Sequence, residues 1–461
     1  MNSQSKKMEL LGRAPIPKAL LAMGIPTMIG MLVNAFYNLV DAYFVGGLGE
    51  SQMGAISVVY PLGQVVVGLG LLFGNGAASY ISRLLGRGDK ENADKVASTA
   101  LYSSVSVGAV IIIISMIFLN PILKLLGATD SILPYATTYA SIYIVSCIFN
   151  VFNVTMNNIV TSEGAAKTTM CALLMGAVLN IALDPLFIYV FDLGVAGAAI
   201  ATAISQVIST CVYLTYILWK KSVFHFRIKD CIYTKAIMSE IFKIGIPTLV
   251  FQILTSLSIS LVNNAAGDYG DSAIAGIGVV TRLISMGSLS VFGFIKGFQP
   301  IAGYSYGAKK FDRLREAIKT SILWSTVFCV IFGLVLTLFP SAIVSQFTKG
   351  DAEMIRIGAA SLRANGITIM LFGFYTVYSS LFLALGKGKE GFILGACRQG
   401  ICFIPVILLL PMLWGLNGIL YAQPIADVLS AIITVFMAIP LHRKLNEMQK
   451  QTTAISADSN N

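Results

Sequence analysis

The chain has 461 residues, of which 56 % are hydrophobic and only 12 % charged, and its mean hydropathy is +0.79. A soluble domain carries about 25 % charged residues, so this composition excludes an ordinary water-soluble enzyme or binding module and calls for lipid. The formal net charge of +10 is not a nucleic-acid footprint, because the basic residues gather in alternate connections between apolar stretches, the positive-inside pattern of a multi-pass membrane protein.

Spanning a bilayer as a helix takes about 20 apolar residues. Runs of that kind fall at 19–45, 52–82, 96–119, 132–160, 168–190, 195–219, 241–266, 273–300, 317–339, 354–385, 391–412 and 415–441, twelve in all. The basic start does not lead into a short apolar core with a cleavage site, so the first run is expected to stay as a membrane helix and not to be removed as a signal peptide. That run, LLAMGIPTMIGMLVNAFYNLVDAYFVG (20–46), contains Pro26 and one acid, Asp41. At helical spacing Asn34, Tyr37, Asn38 and Asp41 share a face. A membrane helix with such a stripe must turn it toward protein or water.

The fourth run carries Asn150, Asn153 and Asn157 on one face beside Phe149 and Phe152, and the fifth places Asn180 one turn before Asp184, which Pro185 follows. The sixth adds Thr202 and Gln206, four residues apart. Together with Asp41, Asn180 and Asp184 these supply carboxyl, amide and hydroxyl oxygens from three helices of the first half. Such a set can hold a shared proton or a Na⁺. Asn34, Tyr37, Asn38, Asn153, Asn157 and Gln206 are the candidate substrate-binding residues, since amides beside aromatics suit amphipathic molecules; interhelical hydrogen bonding is the competing role.

The seventh run opens on Gly245-Ile246-Pro247-Thr248, repeating Gly24-Ile25-Pro26-Thr27 at an offset of 221 residues. At that same offset Gly49 matches Gly270, Gly86 matches Gly307 and Gly194 matches Gly415. The chain is built twice, six spans to a copy, so both copies insert in the same orientation and relate by a pseudo-twofold along the membrane normal. Only the first copy carries the acid in its opening helix. Elsewhere in the second half Arg282, Lys296, Arg363, Arg398 and Asp427 sit in apolar runs with no assigned role, Asp427 having Gln423 or Arg398 as a packing partner.

Nothing in the chain supports catalysis. The seven cysteines form no C-x-x-C, His225 and His442 lack ligand companions, and no Walker A sequence is present. Gly386-Lys387-Gly388-Lys389-Glu390-Gly391 fits G-x-G-x-x-G but joins two membrane helices and follows no strand, so it fails as a dinucleotide site. No resident metal and no cofactor are expected, only a transported coupling ion.

The segments GIPTMIGMLVNAFYNLVDAYFVG, GFQPIAGYSYGAKK (297–310), SEGAAK and LGKGKEG, set in a duplicated twelve-span plan, carry a specific resemblance. Over residues 15–445 the sequence resembles the multidrug and toxic compound extrusion (MATE) transporters, most of all the DinF-like and MepA-like bacterial members. The resemblance implies two six-helix lobes and drug or metabolite efflux coupled to H⁺ or Na⁺. It implies a coupling site at Asp41, Asn180, Asp184 and Thr202, and a helix-bending point at Pro26. Other members use acids on helices 7 and 10; here 257–263 and 374–380 carry none.

The expected molecule is therefore an all-α integral membrane protein of twelve transmembrane helices in two pseudo-twofold-related lobes. The N-lobe takes residues 1–219, a cytoplasmic linker 220–240, the C-lobe 241–444, and a polar tail too poor in apolar residues to order itself 445–461. Its expected activity is efflux of cationic or amphipathic aromatic small molecules by antiport with H⁺ or Na⁺ through alternating access. It would act as a monomer in the cytoplasmic (inner) membrane with both termini cytoplasmic. A flippase for lipid-linked precursors is the alternative, favoured if Lys296, Arg282 and Arg363 face the lumen, and a passive channel is a weaker one.

Overall fold

The structure is a computed structural model that describes residues 3–348 and 351–458. Among the described residues all regular structure is helical, and twelve helices are long and apolar enough to cross a membrane. Spans 1–6 are Ile16–Val45, Gly54–Arg87, Lys90–Ile117, Leu133–Ser162, Ala166–Val190 and Gly194–Leu218. Spans 7–12 are Lys235–Gly267, Ser272–Gly307, Phe311–Leu338, Ala352–Ala384, Gly388–Trp414 and Leu416–Gln451. Large apolar side chains stay exposed along the outside of the bundle, Ile113, Ile331 and Leu409 among them. Water would penalise that surface and lipid covers it.

The duplication is written into the backbone. Gly49 and Gly270, equivalent in the two copies, both take positive φ (108° and 88°) ahead of the second helix of their lobe. Gly194 and Gly415 do the same at φ 53° and 57° where the last helix begins. A side chain with Cβ is disfavoured in that region, so glycine sets both turns in both copies.

Span 1 remains one continuous helix through Pro26. Thr27 Oγ1 lies 2.8 Å from Met23 O on its own helix and 2.6 Å from Gly293 O on span 8. Its repeat mate Thr248 on span 7 accepts from Asn75 Nδ2 of span 2 at 2.8 Å. Two symmetric crossings, span 1 on span 8 and span 7 on span 2, thus join the lobes.

These crossings lie toward the end of the bundle that carries the N-terminus. There Ser79 Oγ donates to Leu383 O at 2.5 Å, Arg83 pairs with Glu240 at 2.7 Å, and Lys310 Nζ donates to Gly12 O at 2.8 Å. Glycine permits backbone contact at the same end. A Cβ built on Gly86 would lie 2.1 Å from Tyr304 O, and one on its mate Gly307 would lie 2.1 Å from Arg83 O. Going the other way, the last inter-lobe hydrogen bond among the described residues runs from Gln252 Nε2 to Gln64 Oε1, 2.6 Å. The lobes are shut at the terminal end and the cleft between them opens at the opposite one.

The short helix Ser3–Gly12 straps the shut end. Lys7 reaches the fully buried Glu163 at 3.2 Å, and Glu163 also accepts from Ser222 Oγ at 2.9 Å and Val223 N at 2.7 Å. Burial pushes the Glu163 carboxyl above the usual range in spite of these donors. On the other lobe Arg313 Nε donates to Leu11 O at 3.2 Å.

Two expected boundaries move. Span 7 begins at Lys235, so the last residues of the 220–240 linker belong to it. The tail orders as helix to Asp458, because Leu441 and Leu445, one turn apart, bury themselves in the C-lobe core and carry the helix onward.

Candidate functional site

Asp184 and Asn180 are both buried, and Pro185 ends the regular helix in a π-helical turn over Leu186–Val190. Such turns displace one backbone register and recur where a helix must present a polar group. Asn180 Nδ2 donates to Asp184 Oδ1 at 3.4 Å and lies 3.5 Å from Thr202 Oγ1 of span 6. Asp41, from the half of span 1 beyond the crossing, brings its carboxyl within hydrogen-bonding reach of Asp184, and Tyr37 sits beside both acids. All four residues expected to form the coupling set are brought together.

The set is short of donors. Asp41 Oδ1, Asn180 Oδ1 and Asp184 Oδ2 are buried without a hydrogen-bond partner among the described residues. Buried polar atoms are almost always paired, and leaving one unpaired costs about 1–3 kcal/mol. Three such oxygens close together are chemically able to accept a proton or a hard cation.

The six residues expected to hold substrate do not converge. Asn34 and Asn38 bond to each other along span 1, Nδ2 to Oδ1 at 3.0 Å, with Tyr37 between them and the acids. Asn153 donates to Gln206 Oε1 at 2.8 Å and accepts from Thr210 Oγ1 at 3.0 Å, so these side chains clamp span 4 to span 6. Asn157 donates to Tyr213 OH at 3.2 Å, and its Oδ1 accepts from Lys296 Nζ across the lobe boundary.

None of the six lines the cavity of about 610 Å³ at the base of the cleft. That cavity belongs chiefly to the C-lobe. Phe251, Phe292, Tyr375 and Phe403 give it aromatic walls, and Gln299 and Asn365 put amides into it. Two cations border it, Lys296 and Arg398, whereas Arg282 and Arg363 are exposed and lie outside it. Arg398 is neutralised: its Nε donates to Asp427 Oδ1 at 2.8 Å, Gln423 Nε2 donates to the same oxygen at 2.8 Å, and the guanidinium lies 4.6 Å over the Phe372 ring. Arg398→Met alone strands a buried carboxylate and is expected to cost about 3–5 kcal/mol, read as a lowered Tm in detergent. Arg398→Met with Asp427→Leu should regain most of that loss.

Two six-helix lobes, a cleft open at one end, a cluster of polar oxygens in one lobe and an aromatic cavity beside the other are the architecture of a membrane transporter. The chain belongs to the MATE family: the MatE family model matches residues 26–186 and again 247–409, one match per lobe, each starting at the repeated proline. The multidrug export protein MepA of Staphylococcus aureus (strain MSSA476) is 32 % identical over 434 residues, covering 94 % of this chain and 96 % of that protein. Among solved structures, the outward-facing conformation of a multidrug resistance MATE family transporter of the MOP superfamily superposes with a TM-score of 0.90 at 27 % identity, covering 96 % of this chain and 99 % of that one. A MOP superfamily transporter from Pyrococcus furiosus Vc1 (DSM3638), described as having a binding pocket of reverse polarity, gives 0.88 at 26 % identity over the same shares.

Proposed function

We propose that this protein exports cationic or amphipathic aromatic compounds from the cell by antiport with H⁺ or Na⁺ through alternating access. The donor-poor chamber of Asp41, Asn180, Asp184 and Thr202 carries the reading. Two facing carboxylates in an apolar setting repel each other, and a proton or Na⁺ between them removes the repulsion. The family and the MepA relatives supply the efflux, and the cleft supplies the route.

With the basic loops placed inside by the positive-inside rule, both termini are cytoplasmic, the membrane is the cytoplasmic (inner) one, and the cleft faces outward. The protein works as a monomer in the bilayer. In the outward state the chamber takes the ion, the substrate leaves, and the lobes rock to release the ion inside. Each inward charge is driven by about 2.3 kcal/mol per 100 mV, and each pH unit adds about 1.4 kcal/mol per proton.

The test is efflux of a fluorescent cation from proteoliposomes under a pH gradient and, separately, a Na⁺ gradient. One gradient is expected to drive efflux against the substrate's own gradient. Tracer that merely equilibrates under both would mean a channel. The second reading, a lipid-linked precursor flippase, draws on Lys296 at the cavity, but that leaves a single cation there without an acid partner.

A further inference from the structure

The chamber and the cavity have opposite deficits. The first wants donors; the cavity wants an acceptor. Lys296 Nζ borders the cavity and forms no ion pair among the described residues; it donates to the neutral Asn157 Oδ1. One turn further along span 8, Gln299 lines the same cavity with Nε2 buried and without an acceptor among the described residues. In the first copy the position equivalent to Lys296 is Asn75, which spends its amide on Thr248. The second copy thus carries at this position a charge that the first lacks, and its hydrogen bond to a neutral amide oxygen leaves that charge uncompensated.

We propose that the C-lobe cavity binds the acidic group of an amphipathic aromatic compound, a carboxylate received by Lys296 and Gln299 with the ring system against Phe251 and Phe292. The inference rests on the transport reading only in taking the cavity as a transport site. A lysine and an amide donor suit a monoanion. The two rings stand 6.0 Å apart at a steep angle and offer faces and edges to a planar guest. Lys296 also ties span 8 to span 4 of the other lobe through Asn157. A bound carboxylate competes with Asn157 for the ammonium, so loading the cavity weakens one inter-lobe contact at its floor.

The test is equilibrium binding, by fluorescence polarisation, of rhodamine 110 (a free carboxylic acid) and rhodamine 123 (its methyl ester) to the full-length protein in nanodiscs. The acid is expected to bind about tenfold tighter than the ester, the size of one charge-assisted hydrogen bond gained. Lys296→Gln should bring that ratio to about one, Lys296→Arg should keep it, and Gln299→Leu should lower it. Equal binding of both probes by the unaltered protein overturns the proposal, as does a ratio that survives Lys296→Gln. Displacement of rhodamine 110 by farnesyl diphosphate at lower concentration than by benzoate would assign the site to a lipid phosphate instead and overturn the carboxylate. Acid preference without gradient-driven efflux supports this inference and sinks the antiport; gradient-driven efflux without acid preference does the reverse.

Discussion

Asp184→Asn is expected to abolish ion-driven efflux, with a fall of about a hundredfold or more, while the protein still folds and inserts. The substitution keeps the shape of the side chain and an oxygen to accept from Asn180 Nδ2, so the hydrogen bond at 3.4 Å has a successor. Folding should change by no more than about 1 kcal/mol, the net worth of one such bond. What disappears is the capacity to bind a proton or neutralise Na⁺ between two facing carboxyls. Asp41→Asn should do the same, because the chamber needs both acids. Thr202→Val removes one oxygen from the edge of the set and should weaken coupling without erasing it. Asn153→Ala is the useful contrast: it opens the span 4 to span 6 clamp and should lower stability more than it alters ion dependence. The measurement is the proteoliposome assay under the gradient that drives the unaltered protein. Undiminished efflux by both Asp variants would remove the chamber from the mechanism.

The acids of that chamber are legible in the sequence by chemistry and by spacing, and it is the resemblance to the MATE transporters that implies their grouping with Asn180 and Thr202. Asp184 stands one turn from Asn180, Asp41 ends a polar stripe, and both acids lie in runs that tolerate few charges. The twelve spans and the duplication were legible for a similar reason, since hydropathy and a fixed offset need no knowledge of which helix touches which. The substrate residues were not. An amide in an apolar helix reads the same whether it clamps a neighbouring helix, as Asn153 and Gln206 do, or faces a cavity, as Gln299 and Asn365 do. Helix adjacency decides between the two, and periodicity carries no information about it. Arg398 and Asp427 sit in consecutive spans with opposite charge, a signal strong enough to suggest the pair that forms. The tail went unread because its mean composition is polar, although Leu441 and Leu445 at helical spacing mark a buried stripe.

Gly86→Leu is expected to force the shut end of the transporter open. A Cβ on Gly86 falls 2.1 Å from Tyr304 O, and the atom in the way is backbone, so no rotamer can relieve it. Spans 2 and 8 must separate, and Gly307 faces Arg83 O at 2.1 Å in the mirrored contact, which leaves neither helix room to slide past the other. Overpacking of this kind costs about 1–3 kcal/mol. Here the cost falls on one conformation, the one closed at the terminal end, so the balance between the two states shifts about 5- to 150-fold toward the other. Efflux should fall at least about tenfold, because a transporter that dwells in one state cannot cycle. Ser305, fully buried beside this crossing, reports the change: Ser305→Cys should resist a water-soluble maleimide in the otherwise unaltered protein and react in the Gly86→Leu background. Gly278, in the half of span 8 toward the open end, has no atom of the described residues within 4 Å of a built Cβ, so Gly278→Leu should leave both efflux and Ser305→Cys protection in place. If Gly86→Leu transports normally and position 305 stays protected, the terminal-end crossing is not the gate.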